Sequence, residues 1–186
     1  MDLDSATKAK LRLLYPDLGT RIVRVFNSYF LKYRQSLRVT SGFRTMDKQR
    51  ALYNSGRNEP GRIVTNAQPG RSFHNYGLAL DVCVRGKDPY LKELDLKPRY
   101  ERWRQFGRMA ERQGFKWGGS FMAFKGDLTH VQLTLGLTID EVQELYKYGG
   151  IRAVWAKLDQ IRGVPIGLEW ESLYTDSKIV EPESGS

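Results

Sequence analysis

The stretch SFHNYGLALD at residues 72–81 decides the fold and chemistry expected of this chain, together with DLTH at residues 127–130. The chain has two histidines in 186 residues, and each lies in one of these stretches with an aspartate close by. The residues concerned are His74 with Asp81, and His130 with Asp127. Two imidazoles and one carboxylate are a common catalytic zinc set that leaves a fourth position for water. The other aspartate is then free to act as a base.

Both stretches continue into strand patterns. Residues 78–84 read LALDVCV, where the leucines and valines share one face and Asp81 lies on the other. Residues 130–134 alternate in the same way, beginning with His130. If the two strands pair, Asp81 and His130 converge. His74 precedes its strand, so an intervening turn must bring it back to the same place.

Taken singly, each segment has a plainer interpretation. An aspartate inside a strand is often a buried group that is already hydrogen-bonded, and a lone histidine is more often structural than a ligand. The two segments together favour a metal site more strongly, because they use both histidines of the chain.

The spacing Ser-x-His-x6-Asp followed by Asp-x-x-His resembles the zinc peptidases that cut bacterial cell-wall peptides. These are the D-alanyl-D-alanine carboxypeptidases and the L-alanyl-D-glutamate endopeptidases of phage endolysins, which share a fold with the Hedgehog signalling domain. Three further stretches resemble the same family: SGFRT at residues 41–45 followed by Gln49, TNAQPG at 65–70, and WGG at 117–119. The resemblance covers about residues 37–135. Many members have glutamate where this chain has Asp127, and the aspartate form is more similar to the phage branch.

The resemblance implies an α+β fold in which helices pack on a small antiparallel sheet, and zinc-dependent hydrolysis of a peptidoglycan stem peptide. It also implies the roles of individual residues. They are His74, Asp81 and His130 as zinc ligands, Asp127 as the base, Arg44 as the cation for an oxyanion or a substrate carboxylate, and Ser72, Gln49 and Trp117 as substrate contacts. Without the resemblance, a structural ion pair is the better interpretation of Arg44.

Several functions remain open. The L-alanyl-D-glutamate bond is the favoured target, and a D-alanyl-D-alanine carboxypeptidase is the alternative. A non-enzymatic zinc-binding cell-wall module is a second alternative, but it would not need a base at Asp127. A nucleic-acid-binding domain would explain the charge and leave the histidines and aspartates unexplained.

The amino-acid composition limits the classes of binding partner that we expect. A formal charge of +9 indicates an anionic partner, for which we expect cell-wall polymers or a membrane surface. Nucleic acid is not expected, because the basic helix predicted at residues 98–113 has no interleaved aromatic platform. A single cysteine, Cys83, excludes an internal disulfide, and we read it as a small core residue. We expect a monomer.

The first residues lack an apolar leader, and no run of apolar residues is long enough to span a membrane. For an endolysin this implies synthesis in the host cytoplasm and access to the wall once another protein has opened the membrane.

Length and composition suit one catalytic domain over residues 1–175, with the motif core at 37–135. Further elements are predicted along the chain: helices at 5–14 (capped by Ser5) and 17–34, a strand at 37–40, a helix up to Gly56, a loop at 55–71 that walls the substrate groove, a short strand at 115–117, and two helices within 138–162. The last two helices are expected to pack on the catalytic core, with a separate wall-binding module as the alternative. Residues 176–186 are expected to be a disordered tail.

Overall fold

The computed structural model describes residues 2–121 and 126–168 of the chain. Four strands form an antiparallel sheet in the order β1-β2-β4-β3: β1 Leu37–Ser41, β2 Ala79–Val84, β3 Lys116–Trp117 and β4 His130–Gln132. The α-helices in the described ranges are α1 Ser5–Leu11, α2 Pro16–Tyr33, α3 Met46–Asn54, α4 Leu96–Glu111 and α5 Ile139–Arg162. The predicted α+β class with a small antiparallel sheet is confirmed.

Strand β2 organises the sheet, because it pairs with β1 on one side and β4 on the other. In the second pairing Asp81 lies directly opposite His130, as the alternation of the two stretches predicted. The expectation of one covered face was incomplete, since Ala79 and Cys83 on the other face are also fully buried. A 3₁₀ turn at Phe73–Tyr76 packs against β2, which leaves Asp81 as the half-buried position of the strand.

The helices supply the rest of the core. In α2 the buried residues recur at helical spacing, as predicted, and they include Ile22, Val25, Phe26 and Tyr29. A proline at its start is compatible with the first turn, and Arg34 ends it in the left-handed conformation with φ 54°. Helix α2 packs against α4, whose predicted buried residues Trp103, Phe106 and Ala110 are buried.

Three predicted helix boundaries were wrong. The N-cap of α1 is Asp4 rather than Ser5, because the Asp4 carboxylate accepts the Thr7 backbone N–H at 2.7 Å. The helix also ends at Leu11, short of residue 14. Helix α4 begins two residues before Pro98, which therefore lies inside the first turn, where its missing N–H costs nothing.

The described residues group into two compact units, one ending at Thr134 and one beginning at Leu135. In the second unit Thr138 and Glu141 form a capping box that starts α5. Gly149 and Gly150 have non-helical backbone angles, which divide α5 into the two helices that the sequence predicted. One catalytic domain over residues 1–175 stays a prediction, and the tail at 176–186 lies outside the described residues. Every helix within the described ranges is too short or too polar to cross a bilayer.

Candidate active site

The turn that carries His74 returns it to the sheet. Gly77 ends the turn with φ 68°, a conformation in which residues with a side chain are strained, and the chain then enters β2. The segment is tied down by Asn75, whose side-chain amide donates to the Arg44 carbonyl at 2.8 Å. The Arg44 backbone N–H in turn donates to the His74 carbonyl at 2.9 Å. The segment around Arg44 and the first histidine are thus held together as one unit.

His74, Asp81 and His130 bring one potential ligand atom each to a common point, with all three atoms within 4.8 Å of one another. His130 Nδ1 lies 3.0 Å from Asp81 Oδ1, and His74 Nε2 lies 3.5 Å from the same oxygen. The two ring nitrogens are 3.3 Å apart. Tetrahedral zinc with bonds near 2.0–2.2 Å separates its ligand atoms by roughly 3.3 Å. The donor set therefore fits zinc in both chemistry and spacing.

The outer ring nitrogens of both histidines are occupied. His74 Nδ1 lies 2.8 Å from the Gly42 carbonyl oxygen, which can only accept, so this nitrogen carries the proton of the neutral ring. His130 Nε2 lies 3.1 Å from Gln132 Oε1 and donates to it in the same way. The inner atoms, His74 Nε2 and His130 Nδ1, are then lone-pair acceptors that face a carboxylate. Such a cluster of acceptors requires a cation, which is either a proton or a metal ion.

The pKa shifts of the metal-free cluster also indicate that it attracts a cation. Burial alone would raise the pKa of Asp81, but hydrogen bonds from His130 and His74 outweigh it and hold that pKa well below its ordinary value. Burial likewise opposes the charge of His130, but the hydrogen bond and charge of Asp81 win and raise the pKa of that imidazole. The site therefore keeps its carboxylate ionised and attracts positive charge.

A cavity of about 310 Å³ opens over the cluster. Its lining includes the three candidate ligands together with Arg44, Leu52, Val64, Thr65, Ser72 and Asp127. Asp127 is exposed, and its Oδ1 accepts hydrogen bonds from the Thr129 backbone N–H at 3.1 Å and hydroxyl at 2.9 Å. These bonds fix the carboxylate at the mouth of the cavity, on the turn that leads into His130. The predicted base therefore lines the same cavity as the predicted ligands.

Arg44 also lines this cavity, and its guanidinium lies 3.8 Å from Asp81 Oδ2. It donates to Gln49 Oε1 at 2.9 Å and to Ser41 Oγ at 3.1 Å. These contacts orient the guanidinium. Of the three partners only Asp81 carries a negative charge, and its contact is the longest. Arg44 is thus placed to interact with a substrate oxygen as well as with Asp81.

The three residues predicted as substrate contacts have different surroundings. Ser72 lines the cavity, in agreement with its expected role. Gln49 does not, because it is fully buried and its amide donates to the Ala67 carbonyl at 2.7 Å while its oxygen serves Arg44. Gln49 therefore positions Arg44 and the loop that contains Ala67, and its role as a direct substrate contact stays a prediction.

Trp117 does not line this cavity either, and its role as a substrate contact stays a prediction. The side chain is 5% exposed, and its indole N–H donates to the Leu128 carbonyl at 3.0 Å. An added Cβ at Gly107 or at Gly119 would lie 2.2 Å from the ring, so both glycines make room for it. Trp117 therefore supports the turn that carries Asp127 and His130.

The loop at residues 55–71 forms part of the cavity wall through Val64 and Thr65, as predicted. Arg57 organises it by donating to the Tyr53 and Thr65 carbonyls at 2.6 and 2.9 Å and to Asn66 Oδ1 at 2.7 Å. Its guanidinium also stacks over the Tyr53 ring at 4.2 Å. This arginine holds the wall in place.

Sequence reasoning missed the two acceptors behind the histidines. The Gly42 carbonyl leaves no signal in side-chain chemistry. Gln132 does leave one, because it is two residues after His130 and therefore on the same face of β4.

Two imidazoles and a carboxylate at one point on a sheet, beside a second carboxylate and an arginine, are typical of mononuclear zinc hydrolases. Residues 65–133 match the protein family described as D-alanyl-D-alanine carboxypeptidase. The chain is 38% identical over 99 residues to the peptidoglycan L-alanyl-D-glutamate endopeptidase CwlK of Bacillus subtilis (strain 168). That alignment covers 51% of this chain and 59% of the relative, so less than two thirds of the relative is represented. The resemblance to zinc peptidoglycan peptidases is confirmed.

Solved structures of similar fold include the L-Ala D-Glu endopeptidase ChiX of Serratia marcescens, with 23% identity and a TM-score of 0.48, covering 73% of this chain and 91% of that one. Another is DacB of Streptococcus pneumoniae D39, with 22% identity and a TM-score of 0.48, covering 73% and 76%.

Proposed function

We propose that this protein is a zinc-dependent peptidase that hydrolyses peptidoglycan stem peptides. The observation that carries the proposal is the cluster of His74 Nε2, His130 Nδ1 and Asp81 Oδ1, three acceptor atoms 3.0–3.5 Å apart in a cavity that Asp127 also lines. A purely structural cluster would need neither an open cavity nor a further carboxylate. The match to a peptidase family over residues 65–133 supports the same assignment.

The proposed mechanism divides the work among three groups. Zinc, when bound by His74, Asp81 and His130, supplies a Lewis acid for the scissile carbonyl and acidifies water. Asp127 takes the proton of the attacking water and delivers it to the leaving amine, which makes it base and then acid. The Arg44 guanidinium, held by Gln49 and Ser41, stabilises the negative charge that develops on the carbonyl oxygen.

The zinc assignment is tested by metal content. The wild-type protein should hold one zinc per chain after dialysis, and His74→Ala, Asp81→Ala and His130→Ala should each lose it, because each removes one of three protein ligands. Elemental analysis is the measurement, with Lys97→Ala on the exposed surface of α4 as the control. Full zinc in the His130→Ala protein would refute the ligand set.

The bond we propose as the target is L-alanyl-D-glutamate. Support comes from the 38% identity to an endopeptidase of that name and from Asp127 in the position of the base, the form that resembles phage enzymes. The alternative is the terminal D-alanyl-D-alanine bond, which the description of the matching family names. Digestion of purified peptidoglycan, followed by mass spectrometry of the products, decides between them. New amino-terminal glutamate supports the proposal; free D-alanine with the other bond intact supports the alternative.

For the biological role we propose a monomeric endolysin that reaches the wall after another protein has opened the membrane. The formal charge of +9 supports retention on anionic wall polymers. Cells that express the protein should keep their turbidity until the inner membrane is permeabilised with chloroform, and then clear. Clearing without permeabilisation, or no clearing after it, would contradict this role.

A further inference from the structure

A second cavity lies next to the catalytic one. It has a volume of about 310 Å³ and is lined by the end of β1 and the following residues 42–44, by Lys10 of α1, and by Lys48 and Leu52 of α3. Arg44 and Leu52 line both cavities, so the two are neighbours that share part of a wall. Any group held in the second cavity would therefore lie beside the bond held in the first.

The second cavity is cationic. Lys10, Lys48 and Arg44 contribute positive charge to its lining, and no carboxylate contributes to the lining among the described residues. In the part of the chain that the structure describes, the ammonium groups of Lys10 and Lys48 form no ion pair, whereas nearby Lys8 pairs with Asp2 and Arg50 pairs with Asp47. Three donors per ammonium group are thus left for water or for a ligand.

The position of Lys10 is coupled to the metal site. An added Cβ at Gly42 would lie 3.6 Å from the Lys10 carbonyl oxygen and 3.7 Å from the Lys10 Cβ, at van der Waals distance, so the two residues are neighbours in the fold. The Gly42 carbonyl is the group that fixes the His74 ring at 2.8 Å. One short segment therefore sets both the metal ligand and the wall of the cationic cavity.

The chemistry of the proposed substrate supplies a matching group. A glutamate residue inside a peptide uses its amino group and one carboxyl group in the chain, and its second carboxylate stays free. Alanine has no such group. We propose that Lys10 and Lys48, with Arg44 between the two cavities, form a carboxylate subsite that recognises this free carboxylate on the leaving-group side of the scissile bond. This inference rests on the proposed function, and it would make the cavity a determinant of specificity.

The test uses two short alanyl-glutamyl peptides that differ only in the free carboxylate, which one peptide carries as a carboxamide. The proteins are the full zinc-loaded chain and its variants Lys10→Gln, Lys48→Gln and the double variant. Lys97→Gln is the matched control, since it removes one positive charge from an exposed position on α4 that lines neither cavity. Thermal melts confirm that each variant is folded.

The wild type should prefer the free acid in kcat/KM, and each lysine substitution should lower this preference about tenfold, the lower end expected for a charged hydrogen bond in a partly exposed site. Lys97→Gln should keep the full preference. An equal rate of cleavage of the two peptides by the wild type, or an unchanged preference in the double variant, would overturn the subsite while leaving the peptidase assignment intact.

Cleavage of neither peptide would instead contradict the proposed function. The subsite is then decided by calorimetric binding of both peptides to the Asp127→Ala protein, in which turnover does not interfere. Tighter binding of the free acid that is lost on Lys10→Gln supports the subsite, and equal affinities refute it.

Discussion

Gln132 should control the zinc affinity of the site without touching the metal. Its Oε1 accepts from His130 Nε2 at 3.1 Å, which leaves Nδ1 of the same ring unprotonated and facing Asp81. Replacing Gln132 by methionine keeps the length of the side chain and removes the acceptor. The ring then loses the bond that selects its tautomer, and the form with a proton on Nδ1 points an N–H at the metal position.

The expected loss of zinc affinity follows from the surroundings of the hydrogen bond between His130 and Gln132. The His130 side chain is 14% exposed, so water replaces the lost acceptor poorly. Loss of a bond to a metal-binding histidine typically costs 10–100-fold in affinity, which corresponds to about 1.4–2.7 kcal/mol. The fold should be unaffected, since the strand pairings of residue 132 with Ala79 and Lys116 use the backbone.

The assay is a competition titration in which the protein and a fluorescent zinc chelator share the metal. Gln132→Glu is the matched control, because its carboxylate still accepts from the ring and should keep or raise the affinity. Nitrogen NMR of His130 in the metal-free proteins, recorded at a pH above the raised pKa of this imidazole, reports the tautomer directly. Zinc affinity of Gln132→Met within twofold of wild type, with the tautomer unchanged, would refute the reasoning.

Further perturbations test the base, the charges of the cluster and the charge of the surface. Asp127→Ala should keep its zinc and lose at least about a hundredfold in kcat, the usual scale for general acid–base catalysis, whereas Asp127→Glu should be partly active; wild-type turnover by the alanine variant would assign the base elsewhere. In metal-free protein the lowered pKa of Asp81 adds stability that is lost as pH falls below about 3.8, and the raised pKa of His130 adds stability that is complete below about 6.5 and lost as pH rises through the raised value. Urea denaturation of chelator-treated protein should therefore show the greatest contribution of this pair between these limits, and a smaller contribution in His130→Ala. Zinc affinity should weaken as pH falls below the raised pKa of His130, because zinc must then displace a proton from this imidazole. Activity on whole cell walls should fall with added salt more than activity on a short soluble peptide, since screening weakens the long-range attraction of a chain with charge +9; equal salt dependence would exclude a role for that charge.

The pairing at the centre of the site could be predicted from sequence for a simple reason. A strand has a period of two, so one aspartate and one histidine at the right places in two alternating stretches must face each other if the strands pair. Asp81 and His130 do so in the β2–β4 register. The position of His74 was less determined by the pattern, because it depends on the turn at Gly77 and on hydrogen bonds to residues more than thirty positions away.

Gln49 and Trp117 show where the resemblance to a family stops being informative. A motif marks positions at which a residue type recurs, and it does not say which face of that residue meets the substrate. In this structure the Gln49 amide joins Arg44 to the Ala67 carbonyl, and the Trp117 indole supports the Leu128 carbonyl. Both side chains are buried. Their task is to place Arg44 and the turn before His130, which a recurring motif marks as readily as direct contact.

The predicted N-cap of α1 and the predicted helix boundaries were wrong for a different reason. Asp4 and Ser5 are both good N-cap residues, and the choice between them depends on which side chain reaches the Thr7 N–H. That choice has no consequence for the site. The acceptor Gln132, by contrast, lies on the same strand face as His130 and could have been predicted from spacing alone.

A histidine that binds a metal through one nitrogen needs an acceptor for the other, and on a strand a side chain two residues before or after it lies on the same face and can supply that acceptor. Applied to residues 130–134, this rule selects Gln132, because the residue two positions before His130 is Leu128, which has no side-chain acceptor. Applied to His74 it selects nothing, since that histidine lies on a 3₁₀ turn and its acceptor is a backbone carbonyl. The two candidate ligands therefore differ in how much of their surroundings can be inferred from sequence. The tautomer of His130 can be altered by a single side-chain substitution, whereas that of His74 is set by the main chain at Gly42.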